Sequence, residues 1–371
     1  MRNMSVDIST LTQAPAPISD RNGGGDAVAD FLASVRGLTA DLYRPNRAVY
    51  WLDLCAGAAI GYTALAVATY GSNPVLRLVC GIVAVFALYR AVMFIHELMH
   101  VRRGAVPGLW TVWNALVGVP LLLPSFMYED VHRLHHSKAR YGTRNDPEYL
   151  PLVRAGLPTI VALLFGSLLA PVLLFVRFAI IAPLAAIVPA VRRVMIERMS
   201  SLVINPEFRR AMPAPAAAVR WIVLEAAGVL YVWTALALLA TGTLLLSSFL
   251  TAIAVGAGIA FVNQVRTIVA HRWESDGHAT DAVGQLLDTV NVPPPALLPA
   301  LWAPLGLRYH GLHHLLPALP YHNLGKAHRR LIAELDPASP YHRTLNRTGY
   351  DAFRRIVRGA AAHAAPQSRP A

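Results

Sequence analysis

Histidines are the residues whose type and spacing could do chemistry in this chain. There are 14, with none before His96 and none between His136 and His271. Three groups are regularly spaced: His96-Glu-Leu-Met-His100, His132-Arg-Leu-His135-His136 and His310-Gly-Leu-His313-His314. Imidazole nitrogen is a common ligand of iron, zinc, copper and nickel. The groups therefore predict a metal site, although their spacing alone does not name the metal.

Helix geometry explains why these spacings suit metals. Positions i and i+4 lie about one turn apart on one helix face, so His96 and His100 can reach the same ion. In HxxHH the adjacent pair is splayed by about 100°, so one group can serve two neighbouring metals. At this histidine content, chance would give about 0.5 HxxxH patterns but only about 0.02 HxxHH patterns. Eight grouped histidines exceed the four ligands of one tetrahedral zinc and match two metals.

The elements that must position these histidines are membrane helices. The chain is 55% hydrophobic and 15% charged, with a mean hydropathy of +0.44, which is too apolar for a soluble domain of this length. Four apolar stretches are long enough to cross a bilayer: Tyr50 to Tyr70, Leu76 to Ile95, Trp221 to Ala240 and Thr243 to Val262. We interpret them as two hairpins. Each returns to its starting side, which places all three histidine groups on one side.

Two further apolar stretches are ambiguous. The stretch from Val106 to Met127 is interrupted by proline and glycine, and we expect it to be re-entrant or interfacial. Residues 157–191 are long enough to cross twice and contain Arg177 near their middle. A charge at the bilayer centre is costly, so Arg177 should mark a far-side turn or an interfacial depth. The sequence leaves open whether this stretch crosses.

Charge and cysteine content narrow the functional class. The formal net charge is +12, and arginine pairs lie between apolar segments, as is typical of cytoplasmic loops. These pairs are Arg102-Arg103, Arg192-Arg193, Arg209-Arg210 and Arg329-Arg330. The sequence has no basic stripe interleaved with aromatic residues, which is the pattern that would indicate nucleic-acid binding. Cys55 and Cys80 both lie in apolar segments, which excludes a disulfide framework and a thiolate cluster.

We therefore predict an all-α fold, a multi-pass membrane bundle of four to six transmembrane helices with a cytosolic, histidine-rich helical cap. Residues 1–45 are expected to be a disordered cytoplasmic tail, 46–336 the membrane domain with its cap, and 337–371 a polar C-terminal tail. Within the cap we expect a proline-rich loop from Pro293 to Pro304 and a surface helix starting near Asn323.

The three histidine groups, the last followed by Leu315 to Asn323 (LLPALPYHN), resemble the histidine boxes of the integral-membrane fatty acid desaturase and hydroxylase superfamily. The resemblance extends from about Asp53 to Leu331. It implies two non-haem irons, O2 as co-substrate and eight or nine histidine ligands. Carried over by motif, these are His96, His100, His132, His135, His136, His310, His313 and His314. The family's further ligand, between its last membrane helix and third box, would be His271, with His278 as the alternative.

Acidic residues near the boxes are candidates to orient the imidazoles, because metal-bound histidines usually donate their second N–H to a carboxylate or carbonyl. The candidates are Glu97, Asp130, Asp146, Glu148, Glu274 and Asp276. The sequence Asp146-Pro-Glu148 resembles the family's acidic sequel to its second box. Arg266 is expected to pair with one of these carboxylates. The histidines outside the boxes are expected to play no part: His322, His328, His342 and His363.

The resemblance implies an O2-dependent di-iron oxidase acting on lipid acyl chains, with desaturation as the main hypothesis and hydroxylation of a lipid, alkane or carotenoid as the alternative. No flavin fingerprint, ferredoxin-type cysteine pattern or cytochrome b5-sized extension is present, so a separate ferredoxin or similar donor with its reductase is expected. The Ala- and Arg-rich composition, without retention signals, favours a bacterial inner membrane.

Two other functions fit part of the pattern. HELMH is also a literal HExxH, the motif of zinc metalloproteases, in which Glu97 would activate water. That hypothesis leaves both HxxHH groups unexplained. A non-enzymatic metal transporter or sensor would need polar residues within the spans, and apart from Arg177 these are almost absent.

Overall fold

A computed structural model describes residues 24–364 of the chain. Over that range the backbone forms helices joined by loops, and the only extended pairings are isolated bridges such as Asn291 with Tyr309. The all-α prediction is confirmed. The core lies between the first membrane hairpin and the cap, where Tyr50, Phe94 and Leu312 are fully buried.

The helices follow one another as α1 (Gly24–Thr39), α2 (Arg47–Tyr70), α3 (Pro74–Val92), α4 (Phe94–His100), α5 (Leu109–Trp113), α6 (Val131–His135), α7 (Leu152–Ala155), α8 (Leu157–Gly166), α9 (Ala170–Val176), α10 (Ala182–Ile187), α11 (Pro189–Met199), α12 (Pro215–Ala240), α13 (Leu246–Ala270), α14 (Ala282–Leu287), α15 (Pro299–Trp302), α16 (His310–Leu315), α17 (Tyr321–Glu334) and α18 (Gly349–Ala364). Short 3-10 or π turns occupy Ala40–Leu42, Asn114–Gly118, Ser125–Met127, Ser167–Leu169, Arg177–Ile181 and Pro340–Thr344.

Five helical segments are long and apolar enough to cross a membrane: Arg47–Tyr70, Pro74–His100, Leu157–Ile187, Pro215–Ala240 and Leu246–Ala270. At about 1.5 Å per residue, 24 residues extend about 36 Å, more than the hydrocarbon thickness of about 30 Å. The multi-pass prediction is confirmed, and four of these segments overlap the four stretches expected from hydropathy.

The first hairpin has clear local causes. The side chain of Asn46 accepts hydrogen bonds from the first turn of α2, and Asn73 does the same for α3, which begins with Pro74. The two helices approach closely at Gly61, where a Cβ would lie 2.6 Å from the Leu88 side chain. Helix α3 then continues through Met93 into α4, which carries the first histidine group.

The stretch from Leu157 to Met199, which contains α8 to α11, makes no net crossing of the membrane. It lies between His135 and His271, whose rings are 5.1 Å apart, so the chain must cross the membrane an even number of times between them. Helices α12 and α13 supply two crossings. Helix α11, with 11 residues, is only about 16 Å long and cannot span the bilayer alone. This stretch therefore begins and ends on the same side, and by Leu202, whose N–H donates to the Met127 carbonyl, the chain is again beside the second box.

Packing shows how this re-entrant segment is held. Its first part runs antiparallel to α13, with ring centroids 6.2 Å apart for Phe165 and Phe261 and 5.2 Å apart for Phe175 and Phe249. Phe178 fills the space above Gly228 of α12, where a Cβ would lie 2.6 Å from its ring. Arg177, which the sequence predicts at a turn or at interfacial depth, is buried inside the protein. It donates to the Met199 carbonyl at 2.8 Å.

Both tails differ from the sequence expectation. Residues 24–39, within the stretch expected to be disordered, form α1, which buries Val35 and packs Phe31 and Leu38 on the core. The apolar residues of α1 are too few to give a clear helical pattern in a sequence this rich in Ala and Gly. The rest of that expectation, residues 1–23, lies outside the described residues. Within the expected polar tail, α18 buries Ile356 and Ala360, four residues apart.

Candidate metal centre

All nine histidines predicted as ligands come together in two adjacent groups. The first contains His96, His100, His132, His136 and His313, and the second His135, His271, His310 and His314. Within each group one nitrogen per residue lies within 4.8 Å of the others. The alternative, His278, is exposed and belongs to neither group. Seven of the nine are buried, and His100 and His136 are partly buried.

The helices place the histidines of each box in the two groups as the spacing of the boxes predicts. Helix α4 presents both of its histidines to the first group, one turn apart. In the second box His132 and His136 join the first group while His135 turns to the second. In the third box, on α16, His310 and His314 join the second group and only His313 joins the first. His271, immediately after α13, completes the second group.

The Nε2 atoms converge at separations that suit a shared metal. Those of His132 and His136 are 3.0 Å apart, and those of His136 and His313 are 3.1 Å apart. In the second group the His271 and His310 Nε2 atoms are 3.0 Å apart. Two nitrogens bound at about 2.1 Å and at right angles on one metal would lie about 3.0 Å apart.

Unpaired nitrogens point to the same conclusion. Within the described residues, the buried Nε2 atoms of His96 and His100 have no hydrogen-bond partner. A buried polar atom without a partner is costly and needs an explanation, for which an absent ion is a standard one. The donor set is entirely imidazole, which suits iron, zinc, copper or nickel and does not suit the oxygen-preferring cations.

Burial keeps these imidazoles neutral. Loss of solvation, reinforced by neighbouring histidines, lowers the pKa well below its ordinary value for five residues that follow the first box: His136, His271, His310, His313 and His314. A neutral imidazole has a lone pair available for a metal, whereas a protonated one does not. These five imidazoles are therefore in the protonation state that metal binding requires.

Two of the predicted carboxylates orient ligand candidates. Glu148 Oε1 lies 2.8 Å from His132 Nδ1, and its other oxygen accepts from the Tyr128 hydroxyl at 2.7 Å. Asp146, fully buried, lies 3.0 Å from His135 Nδ1. Burial alone would raise the pKa of Glu148, but the charge and hydrogen bond of His132 outweigh it and lower the pKa to about 2. Each carboxylate favours a proton on Nδ1, which leaves Nε2 free to face the cluster.

The other predicted partners lie elsewhere. Glu97, one position after His96 and so about 100° around the helix, accepts from the Tyr50 hydroxyl at 2.5 Å and the Tyr321 backbone N–H at 3.2 Å. Asp130, Glu274 and Asp276 are exposed. Arg266 is buried on α13, with its Nη2 atom 3.4 Å from Asn263 Oδ1, and pairs with none of the predicted carboxylates.

This geometry also weighs against a zinc protease. In that hypothesis Glu97 would face the metal and activate water. Here its carboxylate is engaged by two groups that fasten α17 to α2. Moreover, His96 and His100 share their group with three histidines from the other two boxes.

Sequence reasoning missed a pair that supports His271. The Tyr141 hydroxyl lies 2.9 Å from His271 Nδ1 and donates to Asp288 Oδ2 at 2.9 Å. Burial raises the pKa of Asp288 to about 6. Nothing in the sequence marks Asp288, because it lies in the cap loop after α14 and in no histidine motif. Tyr141, five residues beyond the second box, was the only nearby signal.

A cavity of about 200 Å³ reaches both groups from the cap surface. His136 of the first group and His314 of the second form part of its wall. Arg36 of α1 and Lys138, both exposed, contribute positive charge at its edge. The metal centre thus borders a cavity whose wall carries positive charge.

Comparison with known proteins agrees with this arrangement. The model of the family described as fatty acid desaturase matches residues 72–346, which include all nine histidines. The chain belongs to the fatty acid desaturase family. It is also 46% identical over 323 residues to a protein described as ceramide hydroxylase from Caulobacter vibrioides (strain NA1000 / CB15N), covering 86% of this chain and 92% of that protein. No solved structure matches significantly.

Membership of the fatty acid desaturase family fixes the broad activity. The chain is a multi-pass membrane oxidoreductase that acts on lipids. The comparison favours the alternative of the sequence analysis, hydroxylation, over its main hypothesis of desaturation, because the relative is described as a hydroxylase.

Proposed function

We propose that this chain is an O2-dependent ceramide hydroxylase with two irons held by its nine clustered histidines. The observation that carries the substrate and reaction is the 46% identity to a protein described as ceramide hydroxylase, over nearly the full length of both chains. The histidine geometry supports the metal assignment, since the family implies a di-iron centre and the donor sets suit iron.

The first group would hold one iron and the second group the other. Bound there, the irons would supply the O2 activation and hydrogen removal that no side chain can perform. The protein's own contribution is orientation and exclusion of water. Glu148 and Asp146 hold two imidazoles in the ligating tautomer, and Tyr141 with Asp288 does so for His271.

Hydroxylation and desaturation differ in the fate of oxygen, although both consume O2, two electrons and two protons. Hydroxylation places one oxygen atom in the C–H bond and releases the other as water. Desaturation removes two hydrogens from adjacent carbons and releases both oxygens as water. The position of the substrate carbon decides between them, so the relative's described activity is what favours hydroxylation here.

Isotope labelling tests this proposal. The purified protein, loaded with iron and given a reductant system, would convert ceramide under 18O2, and the product would be analysed by mass spectrometry. We expect one 18O atom in the lipid. A product that has lost two hydrogens and carries no 18O would instead establish desaturation. His313→Ala serves as the inactive control.

Electrons would come from a separate ferredoxin or similar protein with its reductase. We propose that the donor approaches the cavity beside His136 and His314, because this opening reaches one histidine of each group. Arg36 and Lys138 at its edge suit an acidic protein surface. Such a donor would have a short path to both metals.

We also propose that the cap faces the cytoplasm of a bacterial cell, in the inner membrane. The supporting observation is that the arginine pairs Arg102-Arg103, Arg192-Arg193, Arg209-Arg210 and Arg329-Arg330 lie outside the spanning windows of α2, α3, α12 and α13. Positive residues are enriched in cytoplasmic loops.

A further inference from the structure

The loop that precedes the third histidine box combines a fixed base with an apolar tip. We call residues 293–307 the leucine loop. At its base the Val292 N–H donates to the Arg308 carbonyl at 2.8 Å, and Arg308 Nε donates back to the Val292 carbonyl at 2.8 Å. Arg308 also donates to the Ala296 carbonyl at 2.6 Å. The base lies two residues before His310, so the loop is held beside the metal centre.

The tip of the leucine loop is unusually apolar for an exposed segment. Leu297 is 82% exposed, the highest value for any large apolar side chain in the described range, and Leu298 and Leu301 are 70% and 49% exposed. No charged residue occurs from Pro293 to Leu307. Clustered exposed leucines in water are unfavourable and mark an interaction surface.

The loop lies beside membrane helices and below the histidines. Its helix α15 packs against α3 and α13, and the Tyr89 hydroxyl of α3 donates to the Trp302 carbonyl at 3.1 Å. Tyr89 precedes His96 by seven residues, which is about 10 Å along the helix towards the membrane. Trp302 is also covered by Gly349, where a Cβ would lie 2.6 Å from its ring. The loop is therefore fixed on the membrane side of the metal centre.

The helices beside the leucine loop indicate what covers its tip. Helix α3 exposes Val79, Ile82 and Val83, and the loop is packed at the cap end of this same apolar helix. We propose that the leucine loop inserts Leu297, Leu298 and Leu301 into the lipid bilayer beside α3 and α13. The cap is then seated in the membrane by a loop whose base adjoins His310. This inference does not depend on which reaction the enzyme performs.

Fluorescence quenching tests the insertion. In a Cys55→Ala, Cys80→Ala background, Leu298→Cys would be labelled with an environment-sensitive fluorophore and the protein placed in phosphatidylcholine vesicles. Leu301→Cys provides a second position. Ser34→Cys is the matched control, because Ser34 is exposed beside Asp30, Glu334 and Asp336 and so faces water. Thermal unfolding of each labelled protein checks that the fold is retained.

Apolar interfacial segments insert roughly 5–10 Å, so a nitroxide on the upper acyl chain should quench positions 298 and 301 about twofold while aqueous iodide quenches them weakly. The Ser34→Cys label should show the reverse. Iodide quenching at both loop positions equal to that of the control would overturn the proposal. Protection from both quenchers would also overturn it, since it would mean that protein, such as a second copy of the chain, covers the tip.

Discussion

The carboxylate of Glu148 and the ring of His132 form a 2.8 Å contact between Oε1 and Nδ1, although the two residues come from different segments of the cap. The contact fixes the imidazole tautomer and directs Nε2 towards His136, 3.0 Å away. Carboxylates that orient metal ligands typically matter almost as much as the ligands themselves. The pair therefore offers a direct test of the metal centre.

Replacing Glu148 by Gln should weaken metal binding in the first group. The neutral amide would stabilise a proton on His132 Nδ1 less strongly than the carboxylate does, and loss of such a partner commonly costs about 10–100-fold in metal affinity. Iron titration of the purified protein measures the effect. Glu334→Gln, at an exposed position at the end of α17, is the control and should bind iron like the parent protein. Equal affinities for the two variants would contradict the assigned role.

Removing a ligand candidate should have a larger effect than removing an exposed histidine. His313 bridges the third box to the first group through a 3.1 Å contact with His136, so His313→Ala should lose iron. His278→Ala should keep it, because His278 is exposed and outside both groups. Metal content per chain, measured by elemental analysis, distinguishes the two. Full iron occupancy in His313→Ala would rule out this residue as a ligand.

Glu97→Gln should affect stability more than metal content. Its carboxylate accepts hydrogen bonds from Tyr50 and from the backbone of Tyr321, which joins α2 to the start of α17. Weakening a buried, hydrogen-bonded group of this kind costs about 1–3 kcal/mol. Thermal unfolding in detergent would show the loss, while iron content would remain near that of the parent. A variant that is as stable as the parent protein but has lost its metal would indicate that Glu97 acts at the metal centre.

The re-entrant segment should depend on the carboxylate of Glu225, which pairs with both Arg177 and Arg192. Arg177 Nη2 lies 3.2 Å from Glu225 Oε2, and Arg177 is 2% exposed. Glu225→Gln leaves this arginine buried without its counter-charge, which typically costs about 3–5 kcal/mol. We expect a large drop in the unfolding temperature. Glu197→Gln, which breaks the solvent-exposed pair with Arg193, should leave the temperature unchanged.

Electron delivery should respond to charge at the basic cavity, if the donor docks there as proposed. Lys138→Glu should raise the donor concentration needed for half-maximal turnover, because an acidic donor would meet a negative charge at the mouth. The effect should diminish at high salt. Lys326→Glu, on an exposed position of α17, is the matched control. A shift of equal size in both variants would point to the overall charge of the cap and not to this cavity.

Sequence predicted the membrane class and which boxed histidines come together, because both are carried by local patterns. HxxHH spacing on a helix splays the adjacent pair, so that one such box can contribute to two groups, and hydropathy marks spans by length alone. The roles of Tyr141 and Asp288 could not be predicted, since they arise from contacts between distant segments. Likewise, α1 could not be predicted, because it buries only a few apolar residues and packs against α17, which is distant in sequence.

The re-entrant course of the stretch from Leu157 to Met199 has a practical consequence for engineering. With four net crossings, by α2, α3, α12 and α13, Gly24 and Ala364 lie on the same side as the histidines, whereas Thr241 lies on the other. A redox domain fused at either end would be delivered to the cap, and a short flexible tether would hold it at about millimolar effective concentration. A self-sufficient enzyme could therefore be built from either terminus, with the same fusion serving as a reporter of orientation.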